Sequence, residues 1–399
     1  AYSSKVMAFE DTRLLPQGVR NIKVSKVEAR FHQKFDAQSQ LQELGEVFSK
    51  PLDGKSVVAA QGRVQAIQLT GALKGVFKET SSLSQIEFGR FTGDIRGSVS
   101  VLAPIISYGF SDRLNFGLAI PYYQGRSALD IGFTANRNNI LRFTDALRDQ
   151  GMTATAQAFE QKMASASDLI HQKFSALGYA PLANWQKTGL GDVILAGKGL
   201  ISDLGALRIA SKTGVILPTG KVIDINVPHS IPFGEGATKA FTSLILDQIV
   251  SEAFLLNQYL KWTQPFESVR AVRMKTFDQP LTAETERVKL QIGAAFELGL
   301  SAQYSSIWGV GAGLGYVYER KMQDHYDIPG REDVAHALEF ASESRAHAGL
   351  IKVGFSSVSL YQRGVVALPA AINLAYRRPL AGTNSVAKTL VSLDMDIFF

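Results

Sequence analysis

The chain has 399 residues, no cysteine, and a net charge of +6 carried on scattered Lys and Arg. The missing thiols exclude disulfides and thiolate metal sites, and the lack of a clustered basic face argues against nucleic acid. No stretch approaches the roughly 20 apolar residues of a membrane-spanning helix, whereas 35 glycines, 23 Phe and 12 Tyr suit strands and tight turns.

The start, Ala1-Tyr2-Ser3-Ser4, carries no basic run followed by an apolar core and reads as a mature end left by signal cleavage. A first strand is predicted over 18–35. Residues 37–92 are expected to form a long first loop or a lumen plug, with a short helix over 39–49. Strands over 95–109 and 113–123 flank the tight turn Gly109-Phe110-Ser111-Asp112-Arg113. In the second, Leu114, Phe116, Leu118, Ile120 and Tyr122 oppose Asn115 and Gly117, and successive strand side chains point to opposite faces. Over 134–180 the period changes, predicting a helical hairpin. A helix over 137–149 ends before Gly151. Then Met152, Ala156, Phe159, Met163, Ala166, Ile170, Phe174 and Leu177 recur every three or four residues, until Gly178 and Pro181.

Period two returns with strands near 190–201 and 206–218, around Ser202-Asp203-Leu204-Gly205, and near 240–254, 258–272, 285–300 and 306–320. Val288, Leu290, Ile292, Ala294, Phe296 and Leu298 alternate with Lys289, Gln291 and Glu297. Trp308, Val310, Ala312, Leu314, Tyr316 and Tyr318 alternate with glycines. A helical loop is predicted over 326–344, with its helix at 332–342. Strands over 345–359, 365–377 and 386–399 complete the chain, the last setting Leu393, Met395, Ile397 and Phe399 against Asp394 and Asp396.

Segments of about ten residues, apolar on one face and small or charged on the other, with aromatics near their ends, fit lipid-out, lumen-in strands. Short links alternate with long polar ones such as 124–188 and 219–239. The prediction is an all-β, antiparallel transmembrane barrel of about 12 strands, 14 if 57–92 adds a hairpin, with helical insertions in its outer loops. It is a single unit over 1–399, placed in a Gram-negative outer membrane. The rival is a soluble β protein with the same alternation turned inside out, since a pattern alone does not distinguish inward from outward. Pro104, Pro265 and Pro369 fall inside predicted strands, where each removes a ladder donor that a bulge must absorb.

Several runs resemble a known family. Tyr108-Gly109-Phe110-Ser111-Asp112-Arg113-Leu114 with Pro121-Tyr122-Tyr123, Gly189-Leu190-Gly191-Asp192-Val193 with Lys198, and Gly214-Val215-Ile216-Leu217-Pro218-Thr219-Gly220-Lys221 are similar to strands of the "MetA-pathway of phenol degradation" outer-membrane proteins. More distantly they resemble the FadL-type hydrocarbon transporters. The match spans roughly 95–270. It departs at Phe233-Gly234-Glu235-Gly236-Ala237, where that family tends to a Gly-Thr-Gly run, and in the larger insertion over 134–178. The resemblance implies an outer-membrane location and movement of small apolar or aromatic compounds.

Asp192, Lys198, Arg208, Lys212, Asp247, Lys261, Lys289, Glu297, Arg377, Lys388, Asp394 and Asp396 are expected to point into the lumen, as cross-strand ion pairs or as a charged pathway. Phe133, Phe143, Phe159, Met163, Phe174 and Phe233 are candidate ligand-binding residues on the outer loops. Catalysis is not expected: the six histidines accompany no G-x-S-x-G elbow. Asp324, His325 and Asp327 read as a solvated loop, so no metal and no cofactor is expected. The expected partners are outer-membrane lipid, a small hydrophobic ligand, and the barrel assembly machinery through the C-terminal strand ending at Phe399. The expected function is passive passage of small hydrophobic or aromatic molecules. The alternative is a structural barrel with a blocked lumen that displays its helical loops to a protein or lipid.

Overall fold

The computed structural model describes residues 10–54 and 86–399. Among them, antiparallel strand segments make twelve staves that close into a barrel. In chain order these are β1 (Arg20–Phe35), β4 (Glu87–Ser111), the pair β5 (Leu114–Ala119) and β6 (Tyr122–Ala135), and the pair β7 (Trp185–Leu190) and β8 (Val193–Asp203). Then follow β9 (Leu207–Leu217), β10 (Lys239–Ile249), β11 (Phe254–Pro265), β14 (Ala295–Ser305), β15 (Val310–Lys321), β17 (Ser344–Ser356), β18 (Ala370–Thr383) and β19 (Ser385–Phe398). β1 closes the ring, pairing with β19 from Asn21↔Phe398 to Phe35↔Ser385 and with β4 from Arg20↔Tyr108 to Phe31↔Gly97. Closure pairs every stave on both sides through the lipid-facing band. The fourteen-strand alternative depends on residues largely outside those described.

The direction of the faces decides the class. Ile106, Leu314 and Ile351 are 55%, 64% and 52% exposed, while Ser25, Asp247 and Asp394 are 0%, 2% and 4%. In water that arrangement is inside out; against lipid it satisfies both faces. Tyr108, Trp262, Tyr304, Trp308 and Tyr376 stand exposed near strand ends, as interfacial girdles do. At one end of the barrel the links Ser111–Leu114, Asp203–Leu207, Ile249–Phe254 and Ser305–Val310 are tight. Gly309 turns one of them at φ +85, and a Cβ there would lie 2.1 Å from the Ser356 carbonyl oxygen. The opposite end carries the long loops.

Several boundaries differ from those predicted. The predicted strands 258–272 and 285–300 each divide: β11 stops at Pro265, and β12 (Ser268–Arg273), β13 (Thr285–Gln291) and β16 (His325–Asp327) form a separate three-stranded sheet over the long-loop end. Val288, Leu290 and Ile292 face local cores there, whereas β14 turns Leu300 and Tyr304 to lipid. The unbroken alternation over 288–298 therefore spans two environments. Lys289, expected in the lumen, sits on β13 outside the barrel and faces Glu267 at 3.8 Å. The predicted strand 365–377 starts later, at Ala370, because a short helix (Val358–Gln362) occupies part of the link. Pro104 stays within β4 on its exposed face, its carbonyl accepting from Ile120 N at 3.1 Å.

The helical insertion comprises α1 (Arg137–Asp149), α2 (Thr153–Ala164) and α3 (Ala166–Ala176). The single helix read from Met152 to Leu177 is thus broken at Ser165. A further helix, α4, spans Glu332–Glu339. Over 39–49, a 3-10 turn from Leu44 to Phe48 stands in place of a helix.

Candidate functional site

The lumen is built from the inward rows of the staves, and a chain segment occupies its short-turn end. From Val19 inward, residues 10–16 run up inside the barrel. Gly18 N donates to Gly109 O at 2.8 Å, and Gln17 N to Asp112 at 2.9 Å. Thr12, fully buried, donates its N–H and hydroxyl to Asp247 at 2.9 and 2.7 Å, and Asn257 donates to the other oxygen at 2.6 Å. Glu10 pairs with Lys212 at 2.8 Å and Asp11 with Lys198 at 3.4 Å, while Lys198 also donates to Arg13 O at 2.8 Å. Burial alone would raise both carboxyls. Lys212 beside Glu10, and Arg13 with Lys198 beside Asp11, more than offset it and hold both below the usual carboxylate range. The charged rows read from the strands are therefore met by a strap of opposite charge.

Other inward charges pair across staves. Asp394 accepts from Ser25 at 2.5 Å, Lys23 lies 3.8 Å from Asp394 and 3.7 Å from Asp396, and Arg208 meets Asp203 at 3.2 Å. Above them lies a cavity of about 530 Å³. One wall is apolar: Val27 and Ala29 of β1, Val99 and Val101 of β4, Leu390 of β19. The lining also carries Lys261, Glu297, Arg377 and Lys388, the last two beside Leu390. Tyr259 donates to Glu297 at 2.7 Å, Arg377 pairs with Glu319, and Lys261 lies 5.1 Å from the Phe241 ring centre.

The roof of this cavity is the 219–238 loop, folded into the barrel mouth. Asp192, buried between β7 and β8, accepts from Gly220 N at 3.0 Å and Glu235 N at 3.2 Å, and so ties the loop at both ends. Thr219 donates to Gly191 O at 2.7 Å. A Cβ at Gly234 would fall 2.2 Å from the Asp192 carboxylate, so only glycine lets the loop approach this closely. The Gly-Leu-Gly-Asp and Leu-Pro-Thr-Gly-Lys runs, 28 residues apart in their contacts, thereby form one clasp. Phe233 stacks on Tyr123 at 5.4 Å and lies 6.4 Å from Trp185. Glu235, which burial would raise, is held below the usual range by Lys239 at 2.8 Å.

The six candidate ligand-binding aromatics and Met occupy three places. Phe143, Phe159 and Met163 are buried with Phe88 where α1 and α2 cover β4, their rings about 5 Å apart (Phe143–Phe159 4.9 Å). Phe133 packs on Phe91 at 4.8 Å, and Phe174 is buried with Leu129 and Leu182. Phe233 alone of the six joins the buried cluster of the barrel mouth. Phe143, Phe159, Met163 and Phe174 thus lie in buried clusters of the helical insertion, with Phe133 packed against one of them. In the loop expected to be solvated, Asp324 is taken by Lys321 at 2.5 Å and His325 lies 2.9 Å from Glu339. Strand reading identified inward charges but missed the strap residues Glu10, Asp11 and Thr12, which precede any period-two run. It also missed Tyr123 and Tyr259, whose polar tips point into a lumen that their apolar rings help to fill.

Compared by sequence, the chain matches no family profile and no curated protein. Compared by structure, it is similar to the COG4313 outer membrane channel from Pseudomonas putida F1, with a TM-score of 0.54 and 10% identity over 98% of each chain. A Pseudomonas aeruginosa FadL homologue aligns over 98% of this chain and 93% of its own with a TM-score of 0.38 and 8% identity. The P. putida toluene transporter TodX aligns over 96% and 90% with 0.34 and 10%. The first likeness shows a shared fold. Together with the lipid-facing apolar band, it makes this chain a transmembrane β-barrel of outer-membrane type.

Proposed function

We propose that the protein is an outer-membrane channel for passive passage of small hydrophobic or aromatic molecules. The observation that carries this reading is the lumen cavity of about 530 Å³ with one apolar wall, closed above by Tyr123, Pro232 and Gly234. That volume suits a small ligand, and the apolar wall offers the contact such ligands need, beside a lining otherwise rich in charge. The fold it shares with a protein described as an outer membrane channel supports the reading. In it, Tyr123 meets the ligand, and Phe233, stacked on Tyr123, holds that ring in place. Phe133, Phe143, Phe159, Met163 and Phe174 then hold the helical cap in shape above the mouth.

Uptake of a monoaromatic hydrocarbon into proteoliposomes tests this. Uptake above empty liposomes is expected, reduced several-fold in Phe233→Ala. Equal uptake after deletion of 134–180 would remove the cap from the route, and no uptake at all would remove the channel. The second reading, a closed barrel that presents its loops to a partner, is favoured by the ion-paired strap at the floor. It expects neither uptake nor conductance.

A further inference from the structure

On the outer surface, just above the lipid-facing band, three arginines converge. β4 runs on for many residues beyond its last large apolar outward residue, Leu102. Arg30 on β1 stands opposite Ser98 on β4, and Ser98 stands opposite Arg126 on β6, so the two arginines flank one serine in a single cross-strand row. Arg96 lies two residues further along β4, on the same face. After Phe31↔Gly97, β1 and β4 part, and an open cleft of about 850 Å³ forms there, with all three arginines on its lining. All three are exposed.

Only one of the three charges is neutralised locally. The acidic residues on the cleft are Asp94 and Glu43. Asp94 takes Arg96 at 2.5 Å, and Glu43 accepts from Gln33 at 2.7 Å. Among the described residues, neither Arg30 nor Arg126 has a carboxylate partner; the nearby Lys26 and Glu28 pair with each other at 3.2 Å. Arg30 and Arg126, exposed on either side of Ser98 with no carboxylate partner among the described residues, cost mutual repulsion that an anion would relieve.

Height supplies the occupant. From Phe110 to Ser100 a tilted strand rises about 25 Å, the thickness of the apolar band. Arg96, Arg30 and Arg126 therefore stand at the headgroup level on the long-loop side, which in outer-membrane barrels faces outward. Headgroups there belong to the phosphorylated glycolipid of the outer leaflet. Guanidinium forks match phosphate oxygens bidentately, and basic clusters at a membrane surface are how proteins recognise anionic lipid. We propose that the cleft beside Arg30, Arg96 and Arg126 binds a phosphate group of an outer-leaflet glycolipid. This site lies outside the lumen and stands whether or not the channel conducts.

Native mass spectrometry of the full chain in detergent, with bisphosphorylated lipid A as the probe, tests it. Retained lipid A is expected. The double variant Arg30→Ala/Arg126→Ala and the single variant Ser98→Asp, which keeps both arginines and sets a carboxylate between them, should each lower retention about tenfold. Heat-modifiable migration reports that each variant is a folded barrel, and Ser98→Asp carries the test should the double variant not fold. Separate arms add inorganic phosphate or phosphatidylglycerol at equal concentration, and neither should displace the glycolipid. Undiminished retention in the folded variants, or displacement by either competitor, overturns the proposal.

Discussion

Asp192 anchors the roof of the cavity through two backbone N–H groups of one loop, at Gly220 and Glu235. Hydrogen bonds to an ionised group contribute about 1.5–3 kcal/mol each when a buried partner would be left unsatisfied. Asp192→Ala should therefore release the 219–238 loop without unfolding the barrel, and protease cleavage within the loop should appear while heat-modifiable migration stays unchanged. Trp185 reports the same event, since its ring lies near Phe233; its emission should shift to the red, and an unshifted, uncut variant would refute the clasp. Gly299 makes a converse case on the inner wall. A Cβ there would stand 2.0 Å from the Tyr259 ring, so this glycine gives the aromatic its place in the lumen. Gly299→Val is expected to cost about 1–3 kcal/mol by overpacking, read as a lower unfolding temperature.

Among elements, the cap depends on one side chain. Arg273, at the end of β12, donates to Leu177 O and Gly178 O at the end of α3, and to Ile225 O, Asn226 Oδ1 and Thr282 O. Its guanidinium also lies 3.6 Å from the Tyr179 ring centre. Arg273→Lys keeps the charge but not the fork. It should loosen α3 from the small sheet, seen as faster amide exchange over 166–179 with β-barrel exchange unaltered. No reading of the sequence reached this hub, because its partners are mostly backbone carbonyls, drawn from three separate segments. The legible elements were those with sustained periodicity. The β15 row of Leu314 and Tyr316 against glycines, and the β19 row against Asp394 and Asp396, each gave stave and facing together. Periodicity misled where the pattern continued across a change of partner, as from Leu290 through Leu298, and it was silent for residues 10–16, which pair side chain to wall rather than strand to strand. Lys198 and Lys212 were legible as inward charges, but their counter-ions were not, since those lie 187 and 202 residues away.

At the scale of the whole barrel, the strap lies inside the lumen of the proposed channel at its short-turn end. Its two carboxyls are held below their ordinary range in the folded state, so their contribution is fully present above the unfolded carboxylate values near pH 4 and is lost only as pH falls below them. A planar-bilayer recording at pH 5 to 8 should therefore show the same closed or weakly conducting state throughout, with opening confined to more acid solution. Removing residues 10–16 takes the pH out of the question. A barrel of twelve staves has a bore between those filled by side chains and the open porins, so the deletion should give stable, larger conductance steps. Their selectivity follows from what the strap leaves behind. Lys198 and Lys212 lose Asp11 and Glu10, while Asp247 loses only the neutral Thr12 and keeps Asn257. A lumen that has lost the carboxylates of Glu10 and Asp11 beside two lysines favours anions, so in a tenfold salt gradient the reversal potential of the deleted form should move towards that of chloride. Movement towards potassium, or conductance identical to that of the intact chain, would show that the segment is not the floor of the pathway.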